Sequence, residues 1–169
     1  EAIDQCSCVM IMGHKNGDMD CLGASIGLYQ AIKSRGADTY IVMRKNTTNA
    51  KLLLNNFAGD PKYMNNIITG DKALTLMDKQ TLVIVVDTHR RSMVEFEEVL
   101  AASKSIVLID HHRRSEDFID NAVLTYHEPY ASSACEMVTE ILQYIQDNPK
   151  IGLKEAEALY AGIFLDTKG

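Results

Sequence analysis

The chain has 169 residues, 46% of them apolar and 24% charged, with a net charge of −6. That length and balance fit one globular domain with a sizeable core and exclude a disordered or fibrous chain. No apolar run approaches the roughly 20 residues that span a bilayer, the N-terminus EAIDQCSCV lacks the basic start of a secretory signal, and the acidic balance argues against sequence-independent binding to duplex nucleic acid.

Strands and helices are expected to alternate along the chain. Residues 8–12 read as a buried strand, followed by a glycine-rich turn and a helix over 22–34 with Leu22, Ile26, Tyr29 and Ile32 at helical spacing and a stop at Gly36. A second strand is expected over 39–43, a short helix over 50–57 and another over 71–77. Residues 82–86 (LVIVV) and 105–109 (SIVLI) are continuous β-rich runs, the pattern of strands buried on both faces of a parallel sheet, with a crossover helix expected over 93–102. Residues 121–126 read as one more strand, closed by Pro129. Ser132 or Ser133 is expected to cap a helix running through Gln146, with Glu136 placed to complete a capping box on Ser133, and a last helix covers 154–165. The order predicts an α/β domain: a doubly wound, mainly parallel sheet flanked by helices.

Cys6, Cys8, Cys21 and Cys135 form no CxxC pair or zinc-finger spacing and are expected to be buried, reduced thiols. The polar residues are more telling. His14, Asp18 and Asp20 follow the first strand, Asp87 and His89 follow LVIVV, and Asp110, His111 and His112 follow SIVLI. One such strand end would mean little, because Asp commonly caps the helix after a strand. Three strand ends of a parallel sheet share one edge, which is where open α/β folds bind ligands. Imidazoles among carboxylates, with no thiolate expected, suit manganese, iron or magnesium. The carboxylates are too many for one divalent ion, whereas two ions about 3.5–4 Å apart would absorb their charge and support in-line displacement at phosphorus. Arg90, Arg91, Arg113 and Arg114 flank the same strand ends as candidate phosphate clamps, although a solvated loop explains each one equally well.

The stretches GHKNGDMDCLGA, VVDTHRRS, IDHHRRSEDFI, EPYASSACEMVTEIL and AGIFLDTKG together resemble the DHH phosphoesterase superfamily, and within it the GdpP (YybT) type of cyclic-di-AMP phosphodiesterase. Met19 and Gly17 stand at variable places in the first motif. The resemblance implies two Mn²⁺ ions per chain, one held by His14, Asp18 and Asp87 and the second by Asp20, Asp87, His111 and Asp166. It makes His112 a catalytic group facing the substrate phosphate, with Asp110 orienting its neighbours. His89 is expected in the outer shell or against the substrate, and His127 is read as structural. The implied activity is hydrolysis of cyclic di-AMP to linear pApA by two-metal activation of water. The alternatives are another DHH phosphoesterase, acting on oligoribonucleotides, pAp or pyrophosphate, and a non-catalytic nucleotide-binding module. The chain stops just after LDTKG, where members of the family continue into a substrate-binding domain. Residues 1–169 are therefore expected to be the metal-binding half of a catalytic module, making no membrane contact of its own but lying in the cytoplasm as part of a membrane-anchored parent. A homodimer stays open as its assembly.

Overall fold

The computed structural model describes residues 3–145 and 149–167. Its centre is a sheet of β1 (Val9–Met12), β2 (Thr39–Val42), β3 (Ile67–Ile68), β4 (Leu82–Val86), β5 (Ser105–Asp110) and β6 (Leu124–His127) in the order β3-β2-β1-β4-β5-β6. Every pairing is parallel, as the unbroken apolar runs of β4 and β5 require. The chain builds outward from β1 to β3 on one side, returns to β4 beside β1, and builds outward again. Loops leaving β1 and β4 therefore diverge, and their carboxyl ends form the crevice in which such sheets bind ligands.

Helices α1 (Met19–Ser34), α2 (Thr48–Asn56), α3 (Pro61–Met64), α4 (Gly70–Leu76), α5 (Glu97–Ala102), α6 (Ala134–Ile145) and α7 (Leu153–Asp166) complete the fold. Successive β1 side chains serve opposite faces. Val9 and Ile11 pack into a core with Leu22, Ile26, Val138 and Leu159, on the side of α1, α6 and α7. Met10 and Met12 pack into a second core with Ala73, Val99 and Leu100, on the side of α4 and α5.

Helix α1 lies unusually close to α7. A Cβ at Gly23 would fall 2.5 Å from the Ala158 carbonyl oxygen, and one at Gly162 would fall 3.0 Å from both Asp20 Cα and the Met19 carbonyl oxygen. Only glycine at these crossing points lets the two backbones approach. That approach carries the last residue of α7, Asp166, to the sheet edge.

The sequence expectations hold for the fold class and need correction locally. The short β3 and α3 were not anticipated: a two-residue strand carries no periodic signal. Helix α1 begins at Met19 and not at 22, because the Asp18 side chain accepts the backbone N–H groups of Asp20 and Cys21 and so sets the cap. The crossover helix expected from 93 begins only at Glu97. Residues 93–95 instead pair with the loop after β1, with Lys15 N–H donating to the Met93 carbonyl at 2.7 Å and Glu95 N–H to the Gly13 carbonyl at 2.9 Å. At α6, Ser133 Oγ accepts the Glu136 N–H at 3.0 Å, but the Glu136 carboxylate reaches Ser132 instead of completing the box on Ser133. Gln146, the expected end of this helix, lies outside the described residues.

Candidate metal centre

The crevice between the ends of β1 and β4 gathers side chains from four parts of the sequence. Asp87 is at its middle. It follows β4 directly, is 2% exposed, and holds a left-handed backbone with φ of 61°. Such a φ is costly for most L-residues and least so for Asn and Asp, and it is the conformation in which this carboxylate stands in the crevice. Asp87 Oδ2 lies 3.3 Å from His14 Nε2, and Asp87 Oδ1 lies 3.4 Å from His111 Nε2. Oδ1 is buried without a hydrogen-bond partner, a state that costs about 1–3 kcal/mol unless some other group satisfies it.

On the Oδ2 side, His14 Nδ1 is fixed against the Lys15 carbonyl at 3.0 Å, which turns Nε2 into the crevice. Asp18 Oδ1 is 3.9 Å from that nitrogen. Asp18 thus caps α1 and faces His14 with one carboxylate. On the Oδ1 side, His111 Nε2 is 3.6 Å from Asp20 Oδ2 and 3.8 Å from Asp166 Oδ2. His14, Asp18, Asp20, Asp87, His111 and Asp166 are therefore brought together, in two groups that meet at Asp87.

The charges respond to this crowding. Burial disfavours the His14 imidazolium, but the Asp18 and Asp87 carboxylates outweigh it and push its pKa up to about 10. His111 is pushed up to about 9, first by Asp87 and against its own burial. His14 holds Asp18 down to about 2. Asp20 is raised by its burial and by the charge of Asp87. These shifts favour protonated imidazoles when no cation is bound, and a divalent cation held here would have to displace those protons.

Asp110, at the end of β5 and wholly buried, stands behind this layer. Its Oδ1 accepts from His112 Nδ1 at 2.8 Å, and its Oδ2 accepts from His89 Nδ1. Burial alone would raise the Asp110 pKa; the hydrogen bonds from His112 and His89 lower it instead. His112, raised in turn by Asp110, is half-exposed and has its Nε2 left for the open cleft. His89 is 1% exposed and uses its other nitrogen, Nε2, to accept the Ser115 N–H at 3.0 Å, with its ring stacked on Phe118. Both ring nitrogens of His89 are engaged within the protein, which fits the outer-shell place, and the residue also lines the cleft that holds His14, Asp87 and His112. His127 donates from Nε2 to the His112 carbonyl at 2.6 Å and props the same loop.

The arginines divide in two. Arg90 and Arg113 line a cleft of about 420 Å³ together with His14, Asp18, Asp87 and His112. Arg91 instead donates to Asn121 Oδ1 at 3.0 Å, and Arg114 lies over the Phe118 ring at 4.0 Å. Two features escaped the sequence. Asp20 caps the N-terminus of α6, which lies more than a hundred residues away, and Cys21, read as an ordinary buried thiol, lies against the crevice. Its burial and the neighbouring Asp87 charge raise its pKa well above the usual thiol value. None of the four cysteines is in a disulfide.

A parallel doubly wound sheet with an Asp and His cluster at the ends of β1, β4 and β5 defines an α/β domain with a candidate divalent-metal centre. Residues 8–163 match the DHH family, N-terminal domain, and the chain belongs to that family. It is 44% identical over 170 aligned residues to the cyclic-di-AMP phosphodiesterase GdpP of Geobacillus thermodenitrificans, covering 99% of this chain and 26% of that protein. It is 41% identical to the cyclic-di-AMP phosphodiesterase PdeA of Listeria monocytogenes, with the same coverage of 99% and 26%. The chain thus spans about a quarter of the length of these relatives. An exopolyphosphatase-related protein from Bacteroides fragilis shares the fold, with a TM-score of 0.81 at 24% identity, over 99% of this chain and 48% of that one. Among the described residues no helix is long and apolar enough to cross a membrane.

Proposed function

We propose that this chain is the metal-binding catalytic domain of a manganese-dependent phosphodiesterase that hydrolyses cyclic di-AMP to linear pApA. The observation that carries the reading is Asp87, a buried carboxylate whose Oδ1 has no hydrogen-bond partner and faces His111, with His112 Nδ1 3.7 Å away, while its Oδ2 faces His14. His14, Asp18 and Asp87 would hold one Mn²⁺, and Asp20, Asp87, His111 and Asp166 the other. The imidazole and carboxylate donors suit manganese. When bound, the ions supply Lewis acidity that activates a water and stabilises an in-line displacement at phosphorus.

The protein's own groups do the rest. His112, with Nδ1 tied to Asp110, presents Nε2 to the cleft and holds or moves a proton at a phosphate oxygen. Asp110 orients it and is itself held by His89. Arg90 and Arg113 bring positive charge to the cleft wall, which an acidic chain needs in order to hold an anionic substrate. Arg91 and Arg114 belong to the packing of the loop. Cyclic di-AMP is the substrate of choice because the 41–44% identical relatives carry that activity in their names. A setting on the cytoplasmic side of a membrane-anchored parent is part of the same proposal and rests on the motif resemblance alone.

The test is product analysis by chromatography with the manganese-saturated protein. Cyclic di-AMP, a linear dinucleotide, pAp and pyrophosphate are offered in parallel, and the manganese stoichiometry is read by electron paramagnetic resonance. Conversion of cyclic di-AMP to pApA with two ions per chain supports the reading. Faster turnover of pAp or pyrophosphate would assign the domain to another DHH activity.

A further inference from the structure

The sulfur of Cys21 adjoins two of the residues assigned to the first ion. Ligand atoms of His14, Cys21 and Asp87 all lie within 4.8 Å of one another. The arrangement is built into the turn. Cys21 sits in the first turn of α1, and its Sγ occupies room that two glycines leave open: a Cβ at Gly13 would fall 1.9 Å from the sulfur and one at Gly17 would fall 3.1 Å from it. The thiol is 3% exposed and the neighbouring Asp87 carboxylate 2%; the Asp87 oxygen at this corner is Oδ2, 3.3 Å from His14 Nε2, whereas the unpartnered Oδ1 faces His111. A buried carboxylate beside an imidazole and a thiol offers a cation three donors, and sulfur decides which kind. Thiolate favours zinc and cadmium, whereas manganese prefers oxygen and imidazole donors.

We propose that His14, Cys21 and Asp87 form an alternative site for a thiophilic divalent ion of the zinc or cadmium class, which competes with manganese for the same corner of the crevice. The proposal rests on the two-ion reading because it borrows His14 and Asp87 from it. The half-exposed Asp18 is exchanged for Cys21 as the third donor, and the thiol proton leaves to solvent as the metal–sulfur bond forms. An ion held by His14, Cys21 and Asp87 would deny manganese two of the donors of its first site.

The experiment is a cadmium titration of the 169-residue chain, followed by the ultraviolet sulfur-to-cadmium charge-transfer band. The wild-type chain is expected to show a band that saturates with one sulfur per ion. Cys21→Ala and Cys21→Ser abolish it and weaken cadmium binding by more than the roughly 10–100-fold that losing an outer-shell contact costs. His14→Ala weakens the band as well, which a site built on Cys6 and Cys8 would not allow. Two cysteine variants are used so that a folding defect in one, seen by circular dichroism, leaves the other to decide. A wild-type chain without the band overturns the proposal, and so does a band that persists in Cys21→Ala. Manganese titration of the wild-type chain by electron paramagnetic resonance tests the two-ion reading separately: two manganese ions with no cadmium–sulfur band refutes the sulfur site alone.

Discussion

Asp20 and Ala134 are joined by a buried hydrogen bond of 2.6 Å, in which the Ala134 backbone N–H donates to Asp20 Oδ2. Cys135 N–H donates to Oδ1 of the same carboxylate at 2.8 Å. A group assigned to the second ion is therefore also the cap of α6. Asp87 has no such duty. Asp20→Ala is expected to lower the stability of the metal-free chain by about 2–4 kcal/mol, because it strands buried amides. Asp87→Asn is expected to leave the fold intact while abolishing hydrolysis and lowering metal occupancy. Asn is the better replacement because it tolerates the left-handed backbone, where Ala costs about 1–2 kcal/mol. Chemical denaturation of both variants, with and without manganese, checks the contrast, and an active Asp87→Asn variant of the complete parent protein would sink the dinuclear assignment.

The two raised imidazoles make metal-free stability depend on pH. His14 titrates at about 10 and His111 at about 9 in the folded chain, against 6.5 for both when unfolded. A group whose folded pKa is raised contributes stability that is complete below the unfolded pKa and is lost as pH rises through the folded one. The metal-free melting temperature is thus expected to fall between about pH 7 and pH 10, and the manganese-loaded chain to lose this slope because the ions replace the protons. Calorimetry in buffers of different ionisation enthalpy should accordingly show about two protons released on metal binding near neutral pH. A metal-free melting temperature that stays level or rises over this range would contradict the charge states.

The adjacent histidines His111 and His112 have different surroundings. His111 Nε2 faces Asp20, Asp87 and Asp166, whereas His112 is tied through Nδ1 to Asp110 and opens to the cleft. His111→Ala should lower affinity for the second ion. His112→Ala should keep two ions bound and cut the rate by about 10²–10⁴. Manganese binding isotherms paired with turnover numbers separate the two effects, and equal metal loss in both variants refutes the division.

The fold class could be read from the sequence because strands buried on both faces leave unbroken apolar runs, and parallel strands place their carboxyl ends on one edge. That rule alone brings His14, Asp87 and His111 together. It could not place Asp166, which follows no strand and was drawn in only by resemblance to the DHH family. Its position depends on helix contacts at Gly23 and Gly162, which have no periodic signature. Nor could spacing sort the four arginines, since each pair is adjacent in sequence while the loop turns one member to the cleft and the other to Asn121 or Phe118. Residues 94–95 were misread as helix because Val94 pairs with the distant His14, and local propensity carries no record of such pairing.

The helix contact at Gly162 yields the last prediction. A Cβ there would fall 2.4 Å from Cys135 Sγ and 3.0 Å from the backbone at Asp20 and Met19. The sulfur can rotate away, but the α1 backbone cannot, so Gly162→Ala must push α7 outward. Overpacking of this kind costs about 1–3 kcal/mol. The displacement acts on Asp166, one turn further along α7, more than on His14 and Asp18, which are held by the β1 loop and the α1 cap. Gly162→Ala is therefore expected to weaken the second ion and spare the first, so that manganese binding, followed by electron paramagnetic resonance, separates into one tight and one weakened step. Adding Cys135→Ala removes the sulfur clash but not the backbone one, and should restore the second ion only in part. Equal weakening of both ions would show that α7 does not position Asp166 independently of the rest of the crevice.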